Sequence, residues 1–177
     1  MASVAYGNAV FGMRDIKVTN AANAVQEDLG AAVSMSVVPT YQGGNLAGDD
    51  ATKSTIQFVI HGEGQFSAGE VSSAALAIMT GVTLTTTGTT PAAKTVLKVN
   101  AGQRMPYFRM YGQSYDDNIG DVHVLLYKVK LTALDCIKLE NGNWRMTTGS
   151  VICLDDGTNG VFQLVQNETA LAVPAPA

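Results

Sequence analysis

Charge is scarce in this chain. Only 15% of its 177 residues are Asp, Glu, Lys or Arg, against roughly 25% in soluble proteins generally. So thin a charged exterior implies that much of the surface is covered by something else, and self-association is the simplest cover. Disorder is excluded, because 46% of the residues are apolar and disordered chains combine low hydrophobicity with high net charge. Basic charge is shortest of all. Eleven Lys and Arg against 15 Asp and Glu leave a net charge of −4 and a pI near 5.0, which excludes a global basic footprint for nucleic acid. No apolar run approaches the ~20 residues that span a bilayer, so no membrane binding is expected. Residues Met1 to Tyr6 have neither the basic segment nor the apolar core of a secretory signal, and synthesis in the cytosol is expected. The two cysteines, Cys136 and Cys153, are too few for a disulfide framework and stand at no metal-ligand spacing. A hairpin would be able to bring them together, but buried free thiols are expected in a reducing compartment. The patterns CxxC and HExxH are absent.

What the sequence does contain is period-two alternation. Ile16 and Val18 alternate with Asp15 and Lys17; Val33, Met35 and Val37 alternate with Ser34 and Ser36; Ile56, Phe58 and Ile60 alternate with Gln57 and Val59. Side chains one residue apart face opposite sides of a sheet, so each run predicts a half-buried strand. Thr95 to Val99, Tyr107 to Tyr111 and Trp144 to Thr148 are shorter candidates. The longest runs from Asp121 to Thr132, with Leu125, Tyr127, Val129 and Leu131 on one face. Its other face begins apolar at Val122, Val124 and Leu126 and turns basic at Lys128 and Lys130, predicting burial on both sides at one end and solvation at the other.

One helix is predicted, over about 67–80. Ser67 and Glu70 match an S-x-x-E capping box, Val71, Ala74, Ala75 and Ile78 form a narrow apolar stripe, and Gly81 is placed for a left-handed C-terminal cap. The turns are of β type: Asn141-Gly142, Asp156-Gly157 and Asn159-Gly160 supply positive φ. Residues 1–177 read as a single domain with a long Gly-rich loop over 42–52 and a Pro/Ala C-terminal arm over 171–177. A connection as long as 42–52 points to a function of its own. The Thr-rich stretch from 81 to 100 is assigned no role.

No constellation carries chemistry. His123, Asp121 and Ser114 suggest a catalytic grouping, but no device such as G-x-S-x-G positions a nucleophile, and His61 and His123 read as ordinary sheet residues. The acidic pairs Asp49-Asp50, Asp116-Asp117 and Asp155-Asp156 lack the graded oxygen spacing of a calcium loop and suit turns. In a channel, the same acids would repel a phosphate backbone. Gly62-Glu63-Gly64 and Gly43-Gly44 lack the setting of nucleotide-binding loops. Arg104, Arg109, Lys128 and Lys130 near Tyr107, Phe108 and Tyr111 suggest a stacking platform for single strands, for which strand packing is the plainer reading. No enzyme activity, metal or cofactor is expected.

Several segments, in order, resemble the major tail tube proteins of long-tailed (siphovirus) bacteriophages. They are YGNAVFGMRDIKVTN (6–20), GNLAGDD (44–50), GEGQFSAGEVSSAALAIMTG (62–81), PYFRMYGQSYDDNIGDVHVLLYKVKLT (106–132) and DDGTNGVFQLVQNETA (155–170). The likeness covers most of the chain, and 81–100 matches least. It implies a mainly β fold, a sandwich or partial barrel with one flanking helix, whose copies close into a six-membered ring around a continuous β-barrel. Rings then stack into a tube that conducts double-stranded DNA as passing cargo. The resemblance also implies a structural virion protein of the tail, assembled in the host cytoplasm, with tape measure and tail terminator or initiator proteins as partners. The candidate ring-to-ring contact is Gly43, Gly44, Asn45, Leu46, Gly48, Asp49 and Asp50, and the candidate lumen acids are Asp116, Asp117, Asp155 and Asp156. A contractile-tail or type VI secretion inner tube is the alternative within this class. A surface- or carbohydrate-binding β-sandwich is the alternative outside it, and would call for an exposed aromatic patch; the one Trp, Trp144, is expected in a strand.

Overall fold

A computed structural model describes residues 11–22, 25–48, 51–115, 120–135, 141–142, 145–167 and 171–172, with the side chains at 11, 48, 51–53 and 115 left aside. In chain order these residues form β1 (Phe11–Asn20), β2 (Gln26–Asp28), β3 (Ala32–Gly48), β4 (Ala51–Ala68), α1 (Ser73–Thr80), β5 (Thr85–Thr87), β6 (Lys94–Val96), β7 (Tyr107–Tyr115), β8 (Asp121–Asp135), β9 (Thr147–Cys153) and β10 (Gln163–Asn167). The fold is mainly β with one flanking helix, as expected. Eight strands make one antiparallel sheet in the order β2-β1-β7-β8-β9-β4-β3, with β10 also paired to β8, and β5 and β6 form a separate small hairpin. The large sheet curls into an open partial barrel, bringing β3 over β1.

The alternating apolar residues build the core inside this curl. Ile16 and Val18 of β1, Phe66 of β4, Phe108 and Met110 of β7, Leu126 and Val129 of β8 and Val151 of β9 are buried together with Leu76 and Met79 of α1. A smaller cluster, Tyr111 and Leu125 with Tyr127 and Val165, covers the other face of β7 and β8. The predicted single face of Leu125, Tyr127, Val129 and Leu131 is therefore split. Phe108 pairs with Val129 but Met110 pairs with Leu126, so β8 carries an extra residue at a bulge. Such an insertion exchanges the faces of a strand. Beyond it, Val129 and Leu131 join Leu126 against the main core. Both sides of β8 are covered near Asp121 and exposed near Asp135, as the sequence predicts.

Four boundaries differ from expectation. The helix starts at Ser73, not 67, because Ser67 belongs to the sheet, opposite Ser34 on one side and Thr148 on the other. Glu70 adopts φ 41°, and the actual cap is Ser72, whose Oγ accepts the Ala75 N–H at 3.0 Å. Gly81 does close the helix at φ 70°, donating its N–H to the Ala77 carbonyl. The helix is rotated as well: Ala75, Leu76, Met79 and Thr80 are buried, while Ala74 and Ile78 line an outer depression. The predicted loop over 42–52 is strand on both sides, with β3 and β4 in register out to the pair Gly48 and Ala51. The strand predicted from Trp144 begins at Thr147. Within 81–100 the chain makes the exposed β5–β6 hairpin, in which the hydroxyls of Thr86 and Thr95 lie 3.3 Å apart; the strand predicted from Thr95 shrinks to Lys94–Val96.

Because every pairing is antiparallel, β1, β8 and β4 run one way and β7, β9 and β3 the other. This gives the subunit two poles. The C-terminal end of β1, the N-terminal end of β7 and the helix that follows β4 gather at one. The paired outer ends of β3 and β4 extend from the other.

Candidate assembly surface

The outer half of the β3–β4 pair stands free of the body. From Ala68 back to Gly62, β4 is flanked by both β3 and β9. From His61 outward its only strand partner among the described residues is β3, through Thr40↔His61, Tyr41↔Val59 and on to Gly48↔Ala51. Nine residues, Thr40 to Gly48, reach about 30 Å at roughly 3.3 Å per residue. Directly opposed residues share a face, so Leu46, Ile56 and Phe58 lie on one face and Tyr41 and Val59 on the other, while Ile60 falls at the register shift between Thr40 and Tyr41. Leu46 is 67% exposed, Ile56 62% and Phe58 53%. The expectation of a half-buried strand at Ile56 to Ile60 is thus corrected: the alternation is that of a strand, yet the body does not reach it. No charged residue occurs from Thr40 to Ala47 or from Ser54 to Ile60. A two-stranded ribbon with no cover is marginal in water, and its free edges can template pairing with another chain.

Of the residues expected at a ring-to-ring contact, Gly43, Gly44, Asn45, Leu46 and Gly48 all lie on this ribbon. Gly43 has a local reason to be glycine, since a Cβ there would collide with the Ile56 carbonyl. Asp49 and Asp50 lie outside the described residues, as do Asp116, Asp117, Cys136, Trp144 and the arm beyond residue 172.

The other candidate acids, Asp155 and Asp156, have a clear structural task. β9 and β10 lie in one line along β8, β9 opposite Val129–Asp135 and β10 opposite Asp121–Leu125. Between them the chain makes an excursion over 155–162. Asp155 accepts the Gly157 N–H at 2.7 Å, and Asp156 accepts from the N–H groups of Thr158 and Asn159 and from the Asn159 side chain. Hydrogen bonds from the Asn159 backbone and side chain lead in lowering the Asp156 pKa to about 2, so its charge persists in all but strong acid. Gly142, Gly157 and Gly160 adopt the positive φ expected of them.

The aromatic and basic residues do not assemble as a platform. Phe108 and Tyr111 are buried; only Tyr107 is open, with the ammonium groups of Lys128 and Lys130 5.7 and 5.4 Å from its ring centre. Cys153 is a buried free thiol whose pKa burial pushes up to about 11, which leaves it unreactive.

Asp121 and His123, weighed in the sequence as a catalytic grouping, do meet, but in a structural polar node whose other members the sequence did not indicate. Asp121, 3% exposed, accepts hydrogen bonds from Gln113, from His123 Nε2 at 2.9 Å, from Asn167 at 2.7 Å and from the Leu171 N–H at 3.0 Å. Burial raises its pKa, but the donors, Asn167 foremost and then the Leu171 backbone, outweigh it and hold the carboxyl below the usual aspartate value. Gln113 also donates to the Leu171 carbonyl at 2.7 Å. Leu171 is thereby held to β7 and β8 through its own N–H and carbonyl, with its side chain turned out at 55% exposure. The one available signal was the pair of polar residues, Asp121 and His123, on a single face of an apolar strand. Ser114 stays apart from them, donating to the Val122 carbonyl at 3.3 Å.

No protein-family model matches the chain, and no curated protein is significantly similar to it.

Proposed function

We propose that this chain is a structural subunit that polymerises as stacked rings into the tail tube of a long-tailed bacteriophage, the conduit for DNA ejection. The observation that carries the reading is the ribbon: a pair of strands about 30 Å long, free of charge over 40–47 and 54–60, whose exposed Leu46, Ile56 and Phe58 no other described part of the chain covers. A single copy leaves this surface in water, and a second copy removes it. The scarcity of charge over the whole chain and the ordered resemblance to tail tube proteins point the same way. A curled sheet with open edges suits closure into a ring, since closure removes the edges. Six copies per ring, a place in the virion, and tape measure, terminator and initiator proteins as partners follow from the resemblance alone.

The mechanism is physical. Rings stack head to tail, a heterologous contact that repeats as a filament, with residues 43–50 at the joint. A net charge of −4 per copy is multiplied around the ring, and acids facing inward, Asp155 and Asp156 among the candidates, would let a phosphate backbone slide without adhering. Negative-stain microscopy of the purified chain tests the reading: tubes or six-fold rings are expected, and dispersed small particles at high concentration overturn it. Deleting residues 43–50 is expected to stop growth at single rings, whereas unchanged polymer length would remove this segment from the joint. A density map of the tube with a neutral or basic lumen would refute the acidic lining.

A further inference from the structure

We infer that the ribbon of one copy seats in a specific depression on the next, between α1 and the β1–β2 turn. This rests on the polymerising-subunit reading and names the seat it requires. The depression, of about 570 Å³, is lined by Ala21, Val25, Ala74, Ala77, Ile78 and Pro106 among others, and no charged residue contributes to it. Two of the liners, Ala74 and Ile78, belong to the stripe that the sequence marks as apolar; the body buries its other members, Val71 and Ala75, and covers Ile78 in part. The helix therefore carries two apolar faces, one turned in on the sheet through Leu76 and Met79 and one turned out.

Three observations join this hollow to the ribbon. The described residues that line the hollow are uncharged and so is the ribbon over 40–47 and 54–60, so joining these stretches strands no ion, while Lys53 and Asp49-Asp50 at the ribbon's end are left to lie beyond the seat. Their shapes suit one another: Leu46, Ile56 and Phe58 lie on one face of a narrow ribbon, and the helix wall opposite is made small by Ala74 and Ala77. Most decisive is where they lie. Asn20 at the end of β1, Tyr107 at the start of β7 and α1 after β4 all border the hollow, at one pole of the strands. The ribbon leaves the other pole. A copy cannot fill its own hollow, but a second copy set end to end along the strand direction can. Such a contact is heterologous and self-propagating, and each added copy presents a fresh ribbon and a fresh hollow.

Two single variants and their mixture test the seat. Phe58→Asp spoils the ribbon and leaves the hollow intact; Ala77→Arg fills the hollow and leaves the ribbon intact. Each is expected to keep the wild-type circular dichroism spectrum and to stop at the smallest unit, ring or single copy. Mixing the two preparations is expected to double the particle mass once and no further, because just one good joint remains available between them. Ala77→Arg tubes of normal length would overturn the seat while leaving the tube reading in place. A wild-type chain that never self-associates would overturn both. Should Ala77→Arg fail to fold, the double variant Phe58→Cys, Ala77→Cys decides. Oxidised under assembly conditions, it is expected to give a ladder of crosslinked copies that collapses on reduction, and the absence of that ladder overturns the seat.

Discussion

β1 and the outer half of β4 are written in the same pattern and meet opposite fates. Ile16 and Val18 are fully buried. Ile56, Phe58 and Ile60, equally apolar and equally spaced, remain 43–62% exposed. Alternation specifies a strand and says which side chains share a face, but it does not say that the chain itself will cover that face. In β1 the cover is supplied by β7, β3 and the helix. In the ribbon no described residue supplies it.

The comparison breaks first in the body. Phe108→Ala empties a site that is 0% exposed and is expected to cost about 3–5 kcal/mol, seen as a large loss of the denaturant midpoint of the single copy. Next comes the polar node. Asp121→Ala leaves Gln113, His123, Asn167 and the Leu171 N–H facing an empty acceptor site, for about 1–3 kcal/mol, and should release the Leu171 amide to hydrogen exchange. The same release is expected in acid. A carboxylate whose folded pKa is lowered stabilises fully above the ordinary aspartate value of 3.8 and loses that contribution as the pH falls from there through the lowered value; exchange of the Leu171 amide followed against pH measures it. Ser72→Ala removes the cap of α1 and should cost about 1 kcal/mol by thermal melt. Smallest, and most telling, is Phe58→Ser: on the single copy it should change stability by no more than about 0.5 kcal/mol. A core-sized loss would mean that the ribbon folds back on its own body.

The sequence made the strand-rich class readable because Ile16/Val18, Met35/Val37 and the long run from Asp121 obey a two-residue period without help from context. It misplaced the helix start because Ser67-x-x-Glu70 is a valid local cap, and only the long-range pairing of Ser67 with Ser34 and Thr148 removes it from the helix. It read 42–52 as a loop because Gly43, Gly44 and Gly48 are poor strand formers by propensity. The register with residues 51–58 holds them extended all the same. Five of the seven residues expected at the ring-to-ring contact therefore lie on a strand where a loop was expected. The Asp121 node was illegible for a different reason. Its partners Gln113, Asn167 and Leu171 are up to 50 residues away, and no spacing rule connects them.

The in-line arrangement of β9 and β10 along β8 has a consequence for how the chain tolerates being cut or lengthened. The excursion over 155–162 interrupts a strand line whose two parts are each held to β8 by their own ladder, with the Tyr127 hydroxyl bonded to Gln163 on the far side. A nick between Thr158 and Asn159 would leave two fragments still joined through β8. An epitope spliced in at the same point would lengthen the excursion without shifting either register. It is a place where the fold can be opened and rejoined.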